Sequence, residues 1–152
     1  LRLLNVGDFG FFLYNENTMT SAAVAREDTA KTARLSGAAF ELFLTIAELW
    51  GLSPAEARTL LGSLPESTFY KYQKAPRSAH LSHDTLARIS HLLAIYKSIN
   101  LLLPRAESAD AWVRRPNDAP LFKGRSALEY MLGGEFEDIA AVRRYLDAER
   151  GW

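Results

Sequence analysis

The sequence predicts an all-α protein, a helix-turn-helix module followed by a compact helical module. Three observations predict it. Apolar residues recur at intervals of three and four through 36–50, 82–103 and 135–150, and no β-type alternation of useful length appears. Ser-x-x-Glu pairs stand at Ser53/Glu56, Ser63/Glu66 and Ser126/Glu129, the residue types of a capping box. Glycine or proline stands where periodic stretches stop, at Gly51, Gly62, Pro104 and Gly133-Gly134.

The first eighteen residues read unlike the rest, rich in Phe, Asn and Gly without a helical period, and Met19-Thr20-Ser21 has the form of a natural start. Leu3, Leu4, Phe9, Phe11, Phe12 and Leu13 lack the basic cluster and small-residue cleavage site of a secretory signal. Residues 21–34 are Ala, Thr and charge, a weakly amphipathic helix or a disordered arm. Ser36-Gly37 then opens a strong helix carrying Phe40, Phe43, Leu44, Ala47 and Trp50.

Two short helices follow, capped by Ser53 and Ser63 ten positions apart, with Pro54 at N1 of the first and Gly62 in the turn. A small residue is usual four places before such a glycine. Here that place holds Arg58 and the alanine is Ala57, so the turn register shifts by one. After the Ala75-Pro76-Arg77-Ser78 loop, Ser82 caps the longest helix, to about Leu103. Leu86, Ile89, Leu92, Leu93, Tyr96 and Ile99 form its apolar face, with Arg88, His91 and Lys97 turned away. A helix from Ala106 to Arg114 ends at Pro116-Asn117-Asp118. Pro120, Phe122 and Gly124 make an ordered turn before a short helix. The final helix, 135–150, carries Phe136, Ile139, Val142, Tyr145 and Leu146 as its stripe. The chain thus divides into an extension or arm over 1–34, a helix-turn-helix domain with its long connecting helix over 35–103, and a second helical domain over 104–152.

The second short helix has the chemistry to read DNA. Ser67, Thr68 and Tyr70 offer hydroxyls to base edges or phosphates, while Lys71, Lys74 and Arg77 offer positive charge. No acid interrupts the run from Ser67 to His83. Overall charge is balanced, 18 basic to 18 acidic, so a local strip has to do this work. The downstream module has the makings of a protein interface. Arg125 precedes a helix start, where it can grip a carboxylate bidentately. The last helix brings Arg143, Arg144, Tyr145, Arg150 and Trp152, the residue types of interface anchors.

Other classes are excluded or disfavoured. There is no cysteine, hence no disulfide, thiolate site or cysteine nucleophile. No apolar run approaches the ~20 residues of a membrane span. His80-x-x-His83 with His91 lacks a third ligand at regular spacing, so neither metal nor cofactor is expected, and no enzyme activity.

Two stretches resemble one family. The run Trp112-Val113 … Asn117 … Phe122-Lys123-Gly124-Arg125-Ser126-Ala127-Leu128-Glu129-Tyr130-Met131-Leu132 … Val142-Arg143-Arg144-Tyr145-Leu146 … Gly151-Trp152 is similar to the toxin-binding domain of Xre/MbcA/ParS-type antitoxins, with its W-[LV], N, F-x-G-[KR]-x-P-L-x-[LM]-L pattern and closing helix. The part from Leu35 to about Leu103 resembles their Xre-type helix-turn-helix domain. The chain departs from the pattern at Ala127, where the family usually has Pro; Ser126 and Glu129 still cap that helix. The resemblance implies a bacterial cytoplasmic antitoxin. It would neutralise a RES-type toxin that consumes NAD or transfers ADP-ribose, and repress its own operon by binding operator DNA as a homodimer or higher oligomer. Its toxin contacts would include Arg125, Arg143, Arg144, Tyr145, Arg150 and Trp152. The helices over 82–103 and 36–50 are the expected dimer surfaces. The competing readings are a DNA-binding regulator without a toxin, its second module serving oligomerisation, and an interaction adaptor that has lost DNA.

Overall fold

Phe40, Phe43, Ile46 and Trp50 fall on one side of a helix and are almost wholly buried, so the first long helix, α1 (Ser21–Leu49), is held by its C-terminal half. The computed structural model describes residues 21–151; the extension over 1–18, the Met19 start and Trp152 lie outside the described residues.

α1 runs unbroken through Ser36-Gly37, where the sequence suggested a helix start. The pair is small for a tertiary reason. A Cβ on Gly37 would lie 3.0 Å from both the Cα and the carbonyl oxygen of Arg77. The Ser36 hydroxyl accepts a hydrogen bond from the Leu81 amide at 3.3 Å. Residues 36–37 are therefore where the downstream loop lies against the helix, not a cap. With 29 residues, α1 and not the later connecting helix is the longest.

α2 (Pro54–Leu60) begins at Ser53 with the expected reciprocal cap: Ser53 N donates to Glu56 at 2.8 Å and Glu56 N to the Ser53 hydroxyl at 3.2 Å. Ala57 is buried, as the shifted register requires. α3 (Glu66–Lys74) does not repeat the device. Gly62 and Ser63 both take left-handed backbone, φ +86° and +61°, so the chain has already turned before a Ser63 cap could form. Pro65 occupies the cap position instead. Glu66 pairs with Arg58 at 3.2 Å, and Arg58 Nε donates to the Leu64 carbonyl at 2.9 Å, so the arginine braces the turn.

A short 3-10 turn, Pro76–Ser78, leads to α4 (His83–Leu102), capped by Ser82 as expected. α4 packs on α1, α5 (Ala106–Trp112) and α7 (Phe136–Glu149), so it is buried on more than one side. Ile95 and Ser98 are as hidden as Ile89, Leu92 and Ile99. Arg88 does not turn away either. It is buried, pairs with Asp84 at 2.8 Å and donates to the Gly134 carbonyl at 2.9 Å. His91 is half-buried, its ring edge-on to Phe136 at 5.0 Å.

The segment between α5 and α6 (Ala127–Met131) is an ordered turn closed on itself. Asn117 N donates to the Arg125 carbonyl at 3.1 Å and Gly124 N to the Asn117 carbonyl at 2.9 Å. Lys123 and Gly124 are left-handed, φ +53° and +83°. Phe122 is fully buried, edge-on to Trp112, Tyr130 and Tyr145 at 6.1, 5.9 and 5.1 Å. The Ser126/Glu129 box forms without the family's proline, at 2.7 and 3.1 Å. Among the described residues the only extended pairing is the isolated bridge between Pro116 and Ser126.

Two arginines lock the modules together. Arg114 donates from Nε to the Trp50 carbonyl at 2.8 Å and from Nη2 to the Gly51 carbonyl at 2.6 Å, and it pairs with Glu56 at 2.9 Å. It thus caps the C-terminus of α1 and fixes the N-terminal box of α2. Arg88 joins the helix-turn-helix to the α6–α7 junction. A Cβ on Gly62 would lie 3.0 Å from both Arg88 Nε and Asp84 Oδ2, so the turn glycine also makes room for this arginine.

Candidate functional site

Phe69 and Tyr72 decide which way α3 faces. Both are buried, and both rings meet Phe40 of α1 edge-on, at 6.1 and 5.7 Å. The Tyr72 hydroxyl donates to the His80 carbonyl at 3.1 Å. Ser67, Tyr70, Lys71 and Lys74 fall on the opposite side and are exposed; Thr68 is half-buried at the edge. These five make one outward face, with a phenol and two ammonium groups reaching solvent. Arg77 is exposed beyond the helix end but pairs with Glu41 of α1 at 2.8 Å. A phosphate would have to compete with that carboxylate. The acid at the start of α3, Glu66, is already paired with Arg58. The face is therefore net positive, at the helix end nearer its lysines.

The candidate residues of the second module divide into two sets. Arg125 is exposed, its guanidinium 5.1 Å from the centre of the Tyr130 ring. Arg144 is exposed and pairs with Glu137 one face along α7. The others lean inward. Arg143 lies 3.4 Å from the His91 ring and 3.7 Å from Asp147. Arg150 donates to the Ser98 hydroxyl at 3.1 Å. Tyr145 packs on Phe122 and is half-buried. Trp152 lies outside the described residues. Tyr145 also lines a groove of about 190 Å³ between α4, α5 and α7, with Ile99, Leu102, Leu103, Trp112, Leu146 and Glu149. Leu101 and Leu102 beside it are exposed, an apolar edge the sequence reading did not single out.

Sequence reasoning also missed Arg88 and Arg114. Their partners are carbonyls 46 and 64 residues away, and no local spacing announces such a bond.

Two groups carry the electrostatics of the module junction. Hydrogen bonding to Arg114 holds the Glu56 carboxyl below its ordinary 4.5, against an opposing effect of burial. Burial, then the charges of Arg143 and Arg144, hold the His91 imidazole below its ordinary 6.5. For both groups the folded value is the lower one. Each contribution is complete above the ordinary value and is lost as pH falls through the folded value. Acidification should therefore weaken the fold through His91 first and Glu56 later. The second stage is opposed by Asp110, whose carboxyl is held above its ordinary 3.8 by burial and the Glu107 charge. Denaturant midpoints measured from about pH 7 to 4 should fall, and His91→Gln should flatten the stretch between about pH 7 and 5. A variant curve parallel to wild type there would remove His91 from the account.

Two family models cover nearly all of this architecture. The antitoxin Xre-like helix-turn-helix domain matches residues 29–94, and the antitoxin Xre/MbcA/ParS C-terminal toxin-binding domain matches residues 100–151. The chain belongs to the Xre/MbcA/ParS antitoxins. A relative in Sinorhizobium fredii (strain NBRC 101917 / NGR234), the uncharacterized protein y4oB, is 44% identical over 133 residues, 88% of this chain and 99% of its own length. Both matched domains are binding modules, so this antitoxin acts by binding and not by catalysis, and its C-terminal module implies a toxin as partner. In the antitoxin the toxin-binding module is no appendage: α7 packs on α4, the helix that also supports the DNA-type module. Among the described residues no helix is long and apolar enough to cross a membrane.

Proposed function

We propose that this antitoxin neutralises a RES-type toxin, one that consumes NAD or transfers ADP-ribose from it, by covering its nucleotide cleft. We further propose that it represses its own operon by presenting α3 to operator DNA. The observation that supports the reading is that exposed cations stand both on α3 and on the toxin-binding module. Lys71 and Lys74 stand on α3, beside Ser67, Thr68 and Tyr70, with Arg77 just beyond the helix. Arg125 and Arg144 stand exposed on the toxin-binding module, beside Tyr130 and Glu137 respectively. In this reading Arg143, Arg150 and Trp152 complete the toxin contact, and two half-sites on the operator are read by a two-fold dimer.

The test separates the faces. Lys71→Ala with Lys74→Ala removes two phosphate contacts, which should lower the log–log salt slope of operator binding by about 1.8. Toxin rescue in cells should be unchanged. Arg125→Glu with Arg144→Glu should do the reverse: operator affinity kept, rescue and inhibition of NAD consumption lost. Both positions are exposed, so each variant should melt near wild type. An unchanged salt slope in the first pair, or full rescue by the second, overturns the corresponding half of the proposal.

A further inference from the structure

The N-terminal half of α1 stands largely clear of the body. Residues 24–32 are all exposed, and Val24 and Leu35 keep 40% and 39% of their surface. A bare helix of this length is marginal in water without a packed face. Val24, Asp28, Lys31 and Leu35 are spaced four, three and four apart, which puts them on one stripe of the helix. Thr29, Thr32, Ala33 and Ser36 lie to one side, lining the cleft toward His80 and Leu81, and Asp28 stands at the edge between that cleft and the stripe.

The order along that stripe is apolar, acidic, basic, apolar. It reads as its own complement when reversed. Laid antiparallel on a second copy about a two-fold axis between Thr29 and Ala30, Val24 meets Leu35 and Asp28 meets Lys31, twice over. Laid parallel in register, Asp28 would face Asp28 and Lys31 would face Lys31, so like charges oppose that arrangement. We propose that the stripe Val24–Asp28–Lys31–Leu35 is an antiparallel self-association surface for a second copy of this chain. This gives the two-fold dimer of the preceding reading a surface other than the helices over 36–50 and 82–103. Their large apolar residues are already spent on the intramolecular core, apart from Leu49, Leu101 and Leu102. The paired segments are only about 20 Å long. The contact is therefore weak by itself and is reinforced when two half-sites of DNA hold both copies.

The chain has no cysteine, so cross-linking reads the geometry directly. A mixture of full-length Val24→Cys and Leu35→Cys should form a disulfide-linked heterodimer under mild oxidation. Each variant alone should not, because like positions sit about 16 Å apart along the antiparallel pair, beyond disulfide reach. Sedimentation at high micromolar concentration supplies the second reading. Asp28→Lys and Lys31→Asp should each raise the dimer dissociation constant about tenfold, and the double variant should restore it. Cross-linking in the single-variant samples, none in the mixture, or no recovery in the double exchange overturns the proposal. These measurements use protein alone. Their failure leaves operator binding and toxin rescue untouched, and failure of those leaves the surface standing.

Discussion

Truncation after Gly134 is expected to unfold the whole chain, not to leave a bare helix-turn-helix. Removing α7 strips Ile139, Val142 and Leu146, each at most 2% exposed, and uncovers the side of α4 against which they sit. Losses of buried aliphatic side chains run at about 2–5 kcal/mol each. Three of them approach the whole ~5–15 kcal/mol by which a domain is stable. The cut also deletes the Phe136 edge contact to His91 and the Arg150 bond to Ser98. The truncated protein should show no cooperative thermal transition, and operator binding should vanish together with neutralisation. A sharp transition with wild-type operator affinity would mean that the α4–α7 packing contributes little. The truncation therefore cannot separate DNA reading from toxin binding; the exposed charge variants can.

Phe122→Ala should cost about 3–5 kcal/mol, because a fully buried ring is replaced by a methyl group and the cavity cannot close easily. Three aromatic neighbours, Trp112, Tyr130 and Tyr145, hold their edge contacts on that ring from different elements. The melting temperature should fall by roughly 6–20 °C. Neutralisation should fall with it, since Phe122 anchors the Lys123-Gly124-Arg125 turn whose backbone is left-handed at two positions. Phe122→Leu keeps much of the apolar volume and loses the ring geometry, so it should lie between the two. A loss below about 1 kcal/mol for the alanine variant in calorimetry would show that the turn holds without its ring.

What could be read along the chain was what is settled within about a turn of helix. The Ser53/Glu56 and Ser126/Glu129 caps form as their spacing requires, since each cap needs only residues three apart. The all-α class and the outward Ser67, Tyr70, Lys71 and Lys74 followed from periodicity, and the Ser82 cap from its residue type ahead of a periodic run. The same reasoning failed wherever a distant group competed. Ser63/Glu66 has the capping pattern, yet Arg58 takes the carboxylate and two successive left-handed residues move the serine off the cap. Ser36-Gly37 looked like a start and is instead a contact with the Arg77 backbone. Arg88 looked like a surface residue, because α4 was read as having one buried side when it has several. Inward-leaning Arg143, Arg150 and Tyr145 likewise depend on α4 and Phe122 arriving from elsewhere. Local backbone hydrogen bonding and side-chain period are properties of the sequence itself. Which arginine is buried, and which two modules share one core, depends on carbonyls and apolar faces tens of residues away, and those meet only once the chain has folded.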